Sequence, residues 1–87
     1  MLKGITESGF EFEIDEEILD DWELLELLQE IDDGNIGKLS KAIVFMLGEE
    51  QYKKLKDFIK ARDGKIKASV MVDEFTSIMN AEKEVKN

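Results

Sequence analysis

The sequence predicts a mainly α domain, a small bundle of about four helices with a short N-terminal β-hairpin or strand. Three observations carry this. Phe10, Phe12 and Ile14 alternate with Glu11 and Glu13, the period-2 pattern of a strand with one apolar face. Beyond residue 15, apolar positions recur at helical spacing in successive stretches separated by Asp, Ser or Gly. The 87 residues contain no Pro, no internal repeat and no linker, so a single domain over 1–87 is expected, with 81–87 as a frayed polar tail.

Each element has its own signal. Glu7-Ser8-Gly9 marks a turn before the strand, and residues 2–6 supply a partner strand with Ile5 expected on the side of the phenylalanines. A two-stranded hairpin is marginal in water, so its apolar face must rest on helices or on another chain. The first helix is expected from Asp15, an N-cap with Glu16 and Glu17 in the first turn, to about Ile31. It stops at Asp32-Asp33-Gly34-Asn35, where Gly34 can turn left-handed. Projected as one continuous helix, Ile18, Trp22, Leu24, Leu25, Leu27, Leu28 and Ile31 cover roughly twice the ~100° apolar stripe of an ordinary surface helix.

Residues 37–47 carry Leu39, Ala42, Ile43, Met46 and Leu47 at helical spacing, with Val44 and Phe45 filling the gap. Periodicity alone does not separate a helix from a buried strand here, but Gly48 and an immediate second helix signal favour a short buried helix. The next helix has Glu49 and Glu50 in its first turn, Lys60 and Arg62 in its last, and Asp63-Gly64 closing it. Its apolar face is Tyr52, Leu55, Phe58 and Ile59. Lys65-Ile66-Lys67 is extended and is expected to add a strand to the hairpin. A last helix is expected after Ser69 as N-cap, with Met71, Phe75, Ile78 and Met79 on one face. Met46, Met71 and Met79 read first as core residues, and second as adaptable apolar surface.

Charge divides the chain. Residues 1–33 hold 13 acids and one base, a net of −12, whereas residues 34–87 have a net of +3. Residues 38–67 are the most basic stretch, with 9 bases against 4 acids. Either the two ends fold onto each other, or the acidic end of one copy meets the basic end of the next, an arrangement that generates rings or helical filaments.

Composition removes several functions. Without Cys there is no disulfide framework or thiolate site, and without His there is no imidazole catalysis and almost no route to zinc or haem ligation. The net charge of −9 is the wrong sign for nucleic acid. The longest apolar run, residues 42–47, falls far short of the ~20 residues that span a bilayer. No cationic segment followed by an apolar one opens the chain, so a soluble intracellular protein is expected.

Three local patterns suggest chemistry and fail. Asp63-Gly64-Lys65-Ile66 copies the core of a calcium loop, but that register puts Ile59, Ala61 and Val70 where carboxylates are required. None of Ser8, Ser40, Ser69 and Ser77 sits in the Asp-Ser-Leu motif of an acyl carrier. Asp20-Asp21 and Asp15-Glu16-Glu17 are paired carboxylates without a base, a hydroxyl or a phosphate loop beside them, and read as a solvated acidic face. No catalytic, cofactor-binding or metal residue is assigned.

What survives is the apolar excess of the first helix. Complete enclosure would bury Asp20 and Asp21, which is costly for unpaired carboxylates. Part of this face is therefore expected at an interface. The candidate partner or self-association residues are Ile18, Trp22, Leu24, Leu25, Leu27, Leu28, Ile31, Phe45 and Met46.

Two runs are specific in combination. Ser8-Gly9-Phe10-Glu11-Phe12-Glu13-Ile14-Asp15-Glu16 with Leu19-Asp20-Asp21-Trp22-Glu23-Leu24 resembles the opening of the small tail assembly chaperones of long-tailed phages and prophages of Gram-positive bacteria. The likeness continues through Leu47-Gly48-Glu49-Glu50-Gln51-Tyr52-Lys53-Lys54-Leu55 and the Asp63-Gly64-Lys65 turn, covering residues 8–80, and is greatest to the lactococcal siphophage versions. The resemblance implies a late-expressed, non-catalytic protein of the infected host's cytoplasm, absent from the mature virion and without cofactor. Its implied partners are copies of itself in a ring or spiral, the hydrophobic tape measure protein before the tail tube polymerises, and the tail tube protein. Nucleic acid and membrane are not among them. Where the family often has Pro after the Asp-Gly turn, this chain has Ile66-Lys67. The rival from another class is an acidic inhibitor or DNA mimic that occupies a basic host protein.

Overall fold

The computed structural model describes the backbone of residues 1–85 and the side chains of residues 1–80. Strands β1 (Leu2–Ile5) and β2 (Glu11–Ile14) form an antiparallel hairpin, followed by helices α1 (Trp22–Asp32), α2 (Leu39–Asp63) and α3 (Ala68–Val85). Short 3-10 turns at Glu16–Asp20 and Ile36–Lys38 precede α1 and α2. The tail expected to fray, 81–87, lies outside the described side chains, and its last two residues lie outside the described backbone.

Turn chemistry fixes the hairpin. The Gly9 N–H donates to the Thr6 carbonyl at 2.9 Å, Gly9 takes φ +100°, and the Thr6 N–H donates to the Phe10 carbonyl at 2.9 Å. This closure sets the register Leu2 with Ile14, Gly4 with Phe12 and Ile5 with Glu11. Phe12 and Ile14 are buried, and a Cβ on Gly4 would stand 2.6 Å from Phe12 Cζ. The register turns Ile5 outward with Glu11, 59% exposed, which corrects the expectation that it shares the phenylalanine face.

The first helix is two pieces. Asp15 caps the 3-10 turn, accepting from the Glu17 N–H at 3.0 Å, and Asp21 caps α1, accepting from the Glu23 N–H at 2.8 Å. Asp21 itself is extended (φ −85°, ψ 131°), so the helical phase is broken between Ile18 and Trp22. The wide apolar arc of a continuous helix therefore does not exist, and Asp20 and Asp21 are both exposed. At its other end α1 closes through Gly34 (φ +100°), with the Asn35 N–H donating to Glu30 and the Gly34 N–H to Ile31, a Schellman pair of bonds.

The two helices expected on either side of Gly48 are the arms of α2. Gly48 takes φ +83° and ψ 161°, so the helix is kinked and broken there, giving three helices among the described residues, one of them in two arms, where about four were expected. The first arm is buried through Leu39, Ala42, Ile43, Met46 and Leu47, the second through Leu55 and Ile59. Lys60 and Arg62 lie in the last turn, and Gly64 (φ +82°) ends it by donating to the Lys60 carbonyl. Helix α3 starts at Ala68, before Ser69, so Lys65-Ile66-Lys67 is a connection, and among the described residues the sheet has two strands.

One core holds these elements. Phe10, Phe12 and Ile14 from the hairpin meet Leu24 of α1, Ile43, Met46, Leu55 and Ile59 of α2, and Ile78 of α3. The Phe10 and Phe58 rings stand 5.7 Å apart at 53°, a tilted pair that joins the turn to the second arm. Burial of each large side chain contributes about 1.5–3 kcal/mol, and without the helices the hairpin has nothing else to cover it.

Candidate interaction surfaces

The candidate residues separate into three environments. Leu24, Leu27 and Met46 are buried within the monomer. Leu24 and Leu27 lie on the side of α1 that faces the core once the helix restarts after Asp21, and Met46 is buried on the first arm of α2. Ile18, Leu28, Ile31 and Phe45 are half-buried. Trp22 and Leu25, one turn apart on the outer side of α1, stand in water at 69% and 44% exposure. An exposed Trp beside an exposed Leu, among Asp20, Asp21 and Glu26, is a small apolar island in an acidic surface.

A broad groove of about 820 Å³ opens between the hairpin and the Gly48 break. Ile18, Phe45 and Met46 contribute to its apolar lining, together with Phe10, Phe12 and Leu47. Its charged side chains are Glu11, Glu13, Asp15, Glu49 and Glu50 against Lys3 and Lys54. Gln51 closes one wall. Its Oε1 accepts from the Glu13 N–H at 2.8 Å, and its Nε2 donates to the Glu13 carbonyl at 2.8 Å and the Leu47 carbonyl at 2.7 Å. One amide thus occupies the edge of β2 and reaches the carbonyl of Leu47 beside the break.

A second, shallower groove of about 500 Å³ runs between α1 and the first arm of α2. Glu23, Glu26, Glu30 and Asp33 line one wall and Lys38 and Lys41 contribute to the other, with Leu27 and Phe45 also in the lining.

Among the described residues no ion pair joins the acidic first part of the chain to its basic stretch. Among the described residues the ion pairs are the terminal amine with Glu16 at 3.5 Å, Lys3 with Glu13 at 3.7 Å and Arg62 with Asp63 at 2.9 Å. None joins the acids of α1 to the lysines of the second arm. Arg62 donates two hydrogen bonds to the Asp63 carboxylate, which lowers that carboxyl below its ordinary range and raises the guanidinium. Asp63 is thereby committed to its neighbour at the helix end.

Helix α3 is fastened to the hairpin turn by polar groups. The Glu7 N–H donates to Ser77 Oγ at 2.8 Å and Ser8 Oγ donates to Glu74 Oε2 at 2.7 Å. Glu74 is 4% exposed, and its Oε1 has no partner among the described residues. Neither Glu74 nor Gln51 is singled out by the sequence for these contacts. A Gln three residues into the second arm is at the position of a capping box, which was the available signal.

Among the described residues no three carboxylates converge on a metal-sized site, and no helix is long and apolar enough to cross a membrane. No protein-family model matches the chain, and no curated protein or solved structure matches it.

Proposed function

We propose that this protein is a non-catalytic tail assembly chaperone, one that self-associates and holds a hydrophobic tape measure protein until the tail tube polymerises. The observation that carries the reading is the placing of exposed apolar side chains, Trp22 and Leu25, on the most acidic element of the chain. Such a surface stays soluble through its charge while offering an apolar patch to a partner. The groove whose half-buried lining includes Ile18 and Phe45 adds an apolar seat for a client. The motif runs that resemble the phage chaperones, residues 8–16, 19–24 and 47–55, include Trp22 of the patch and Phe10, Phe12 and Leu47 of the groove. The proposed setting is the cytoplasm of an infected bacterium.

Co-expression tests it. A tape measure protein that is insoluble alone and soluble with this chain supports the reading. The acidic inhibitor or DNA mimic is the competing account, since α1 and the turn before it expose acids that pair with no lysine of the chain's basic stretch. It requires an uninterrupted acidic face, which Trp22 and Leu25 break. Recovery of a basic host enzyme in place of the tape measure protein would sink the chaperone reading.

A further inference from the structure

The outer side of α1 and its C-cap carry Glu26, Glu30 and Asp33, spaced four and then three residues apart and all exposed, with Asp33 the cap residue just past the last helical turn. At 100° per residue they form one stripe along the helix. The second arm of α2 carries Lys53, Lys56 and Lys60, spaced three and then four, also as one stripe. Lys53 and Lys60 are exposed, and Lys56 is half-buried with its ammonium 4.5 Å over the Tyr52 ring, so the stripe is anchored to an aromatic. Among the described residues none of these six makes an ion pair.

The two spacings are mirror images. Laid antiparallel, the helices bring Glu26 to Lys60, Glu30 to Lys56 and Asp33 to Lys53 in a single register. Trp22, four residues before Glu26, then lies opposite the point four residues beyond Lys60. There Gly64 ends the helix without a side chain, and Ile66 is 38% exposed just beyond it. Three charge pairs and one apolar pair therefore align together. The groove beside α1 presents four carboxylates against two ammonium groups, so its net sign suits a basic helix.

We propose that the acidic stripe of α1 docks antiparallel on the lysine stripe of the second arm of α2 in a second copy of this chain, with Trp22 covering Ile66. The inference rests on the self-association in the reading above and names its contact surfaces. Because the two surfaces differ, the contact is heterologous, and each docked pair leaves one acidic and one basic stripe free to continue a ring or filament. Exposed charge pairs are individually weak and screened by salt, so the assembly is favoured at low ionic strength.

The test uses the whole chain and two charge-reversed variants, one with Glu26→Lys, Glu30→Lys and Asp33→Lys, the other with Lys53→Glu, Lys56→Glu and Lys60→Glu. Circular dichroism checks that each is folded. Light scattering after size exclusion at low salt should give the wild-type chain a mass that grows with concentration above the 10.0 kDa of one copy. Each variant alone should stay at one copy, and the equimolar mixture should assemble again, because every reversed stripe then meets its complement. Assembly of either variant alone, or a mixture of folded variants that stays at one copy, overturns the docking and leaves self-association standing. A wild-type chain that remains at one copy at every concentration overturns both.

Discussion

Gln51 holds the peptide groups of Glu13 from both sides, accepting its N–H and donating to its carbonyl, each at 2.8 Å. A helix side chain thereby takes the place of a third strand. The same amide reaches the Leu47 carbonyl at 2.7 Å, so the strand edge and the helix break depend on one residue.

Gln51→Ala removes all three bonds. The Glu13 groups are exposed and water replaces their partners, so the expected loss is modest, about 1–2 kcal/mol of unfolding free energy in urea. Amide exchange at Glu13 should rise more than exchange at Phe12, which pairs with Gly4 inside the hairpin.

Gly48→Ala isolates the cost of the break. Nothing lies within 4 Å of where a Cβ would be, so the penalty is that of the backbone conformation alone. At φ +83° and ψ 161° this is about 1–3 kcal/mol. A fall of the denaturation midpoint of that size is expected, and an unchanged midpoint would show that the arms straighten instead.

Ser8→Ala strips Glu74 of the one hydrogen bond its carboxylate receives among the described residues. The carboxylate is then buried without a donor, and about 1–3 kcal/mol of stability should be lost. Proteolysis should detect the loosening of α3 from the hairpin, because Ser77 to Glu7 is the other polar tie between them.

Asp63 titrates below an ordinary aspartate because Arg62 donates to both its oxygens. A carboxyl lowered in the folded state adds stability above its unfolded value, and that stability is lost as pH falls through the lowered one. The pair is exposed, so Asp63→Asn should leave the neutral-pH midpoint nearly unchanged. A carboxyl-carbon NMR titration should still place the Asp63 midpoint below those of free aspartates.

Local signals made most elements legible from residues alone. The alternation at Phe10, Phe12 and Ile14, the cap at Asp15 and the left-handed glycines 34 and 64 each act over a few residues, and each is where the sequence indicates. What depends on distant partners was not legible. Ile5 faces outward because the closure of Thr6 on Phe10 sets the register, and hydrophobicity does not encode that choice. Asp21 competes with helix continuation by capping Glu23, and a projection that assumes one helix cannot see the change of phase. Leu24 and Leu27 accordingly face the core, Met46 is buried on α2, and Trp22 and Leu25 stand in water.

Trp22 is the single tryptophan and reports directly on whether its face is free or covered. Trp22→Ala should change monomer stability by no more than about 0.5 kcal/mol, because the side chain is exposed. The decisive measurement is the emission maximum of Trp22 along a concentration series at low salt, read together with light-scattering mass. The account expects the maximum of a water-exposed indole at low concentration and a blue shift that follows the rise in mass. Growth in mass with an unmoved emission maximum would contradict it.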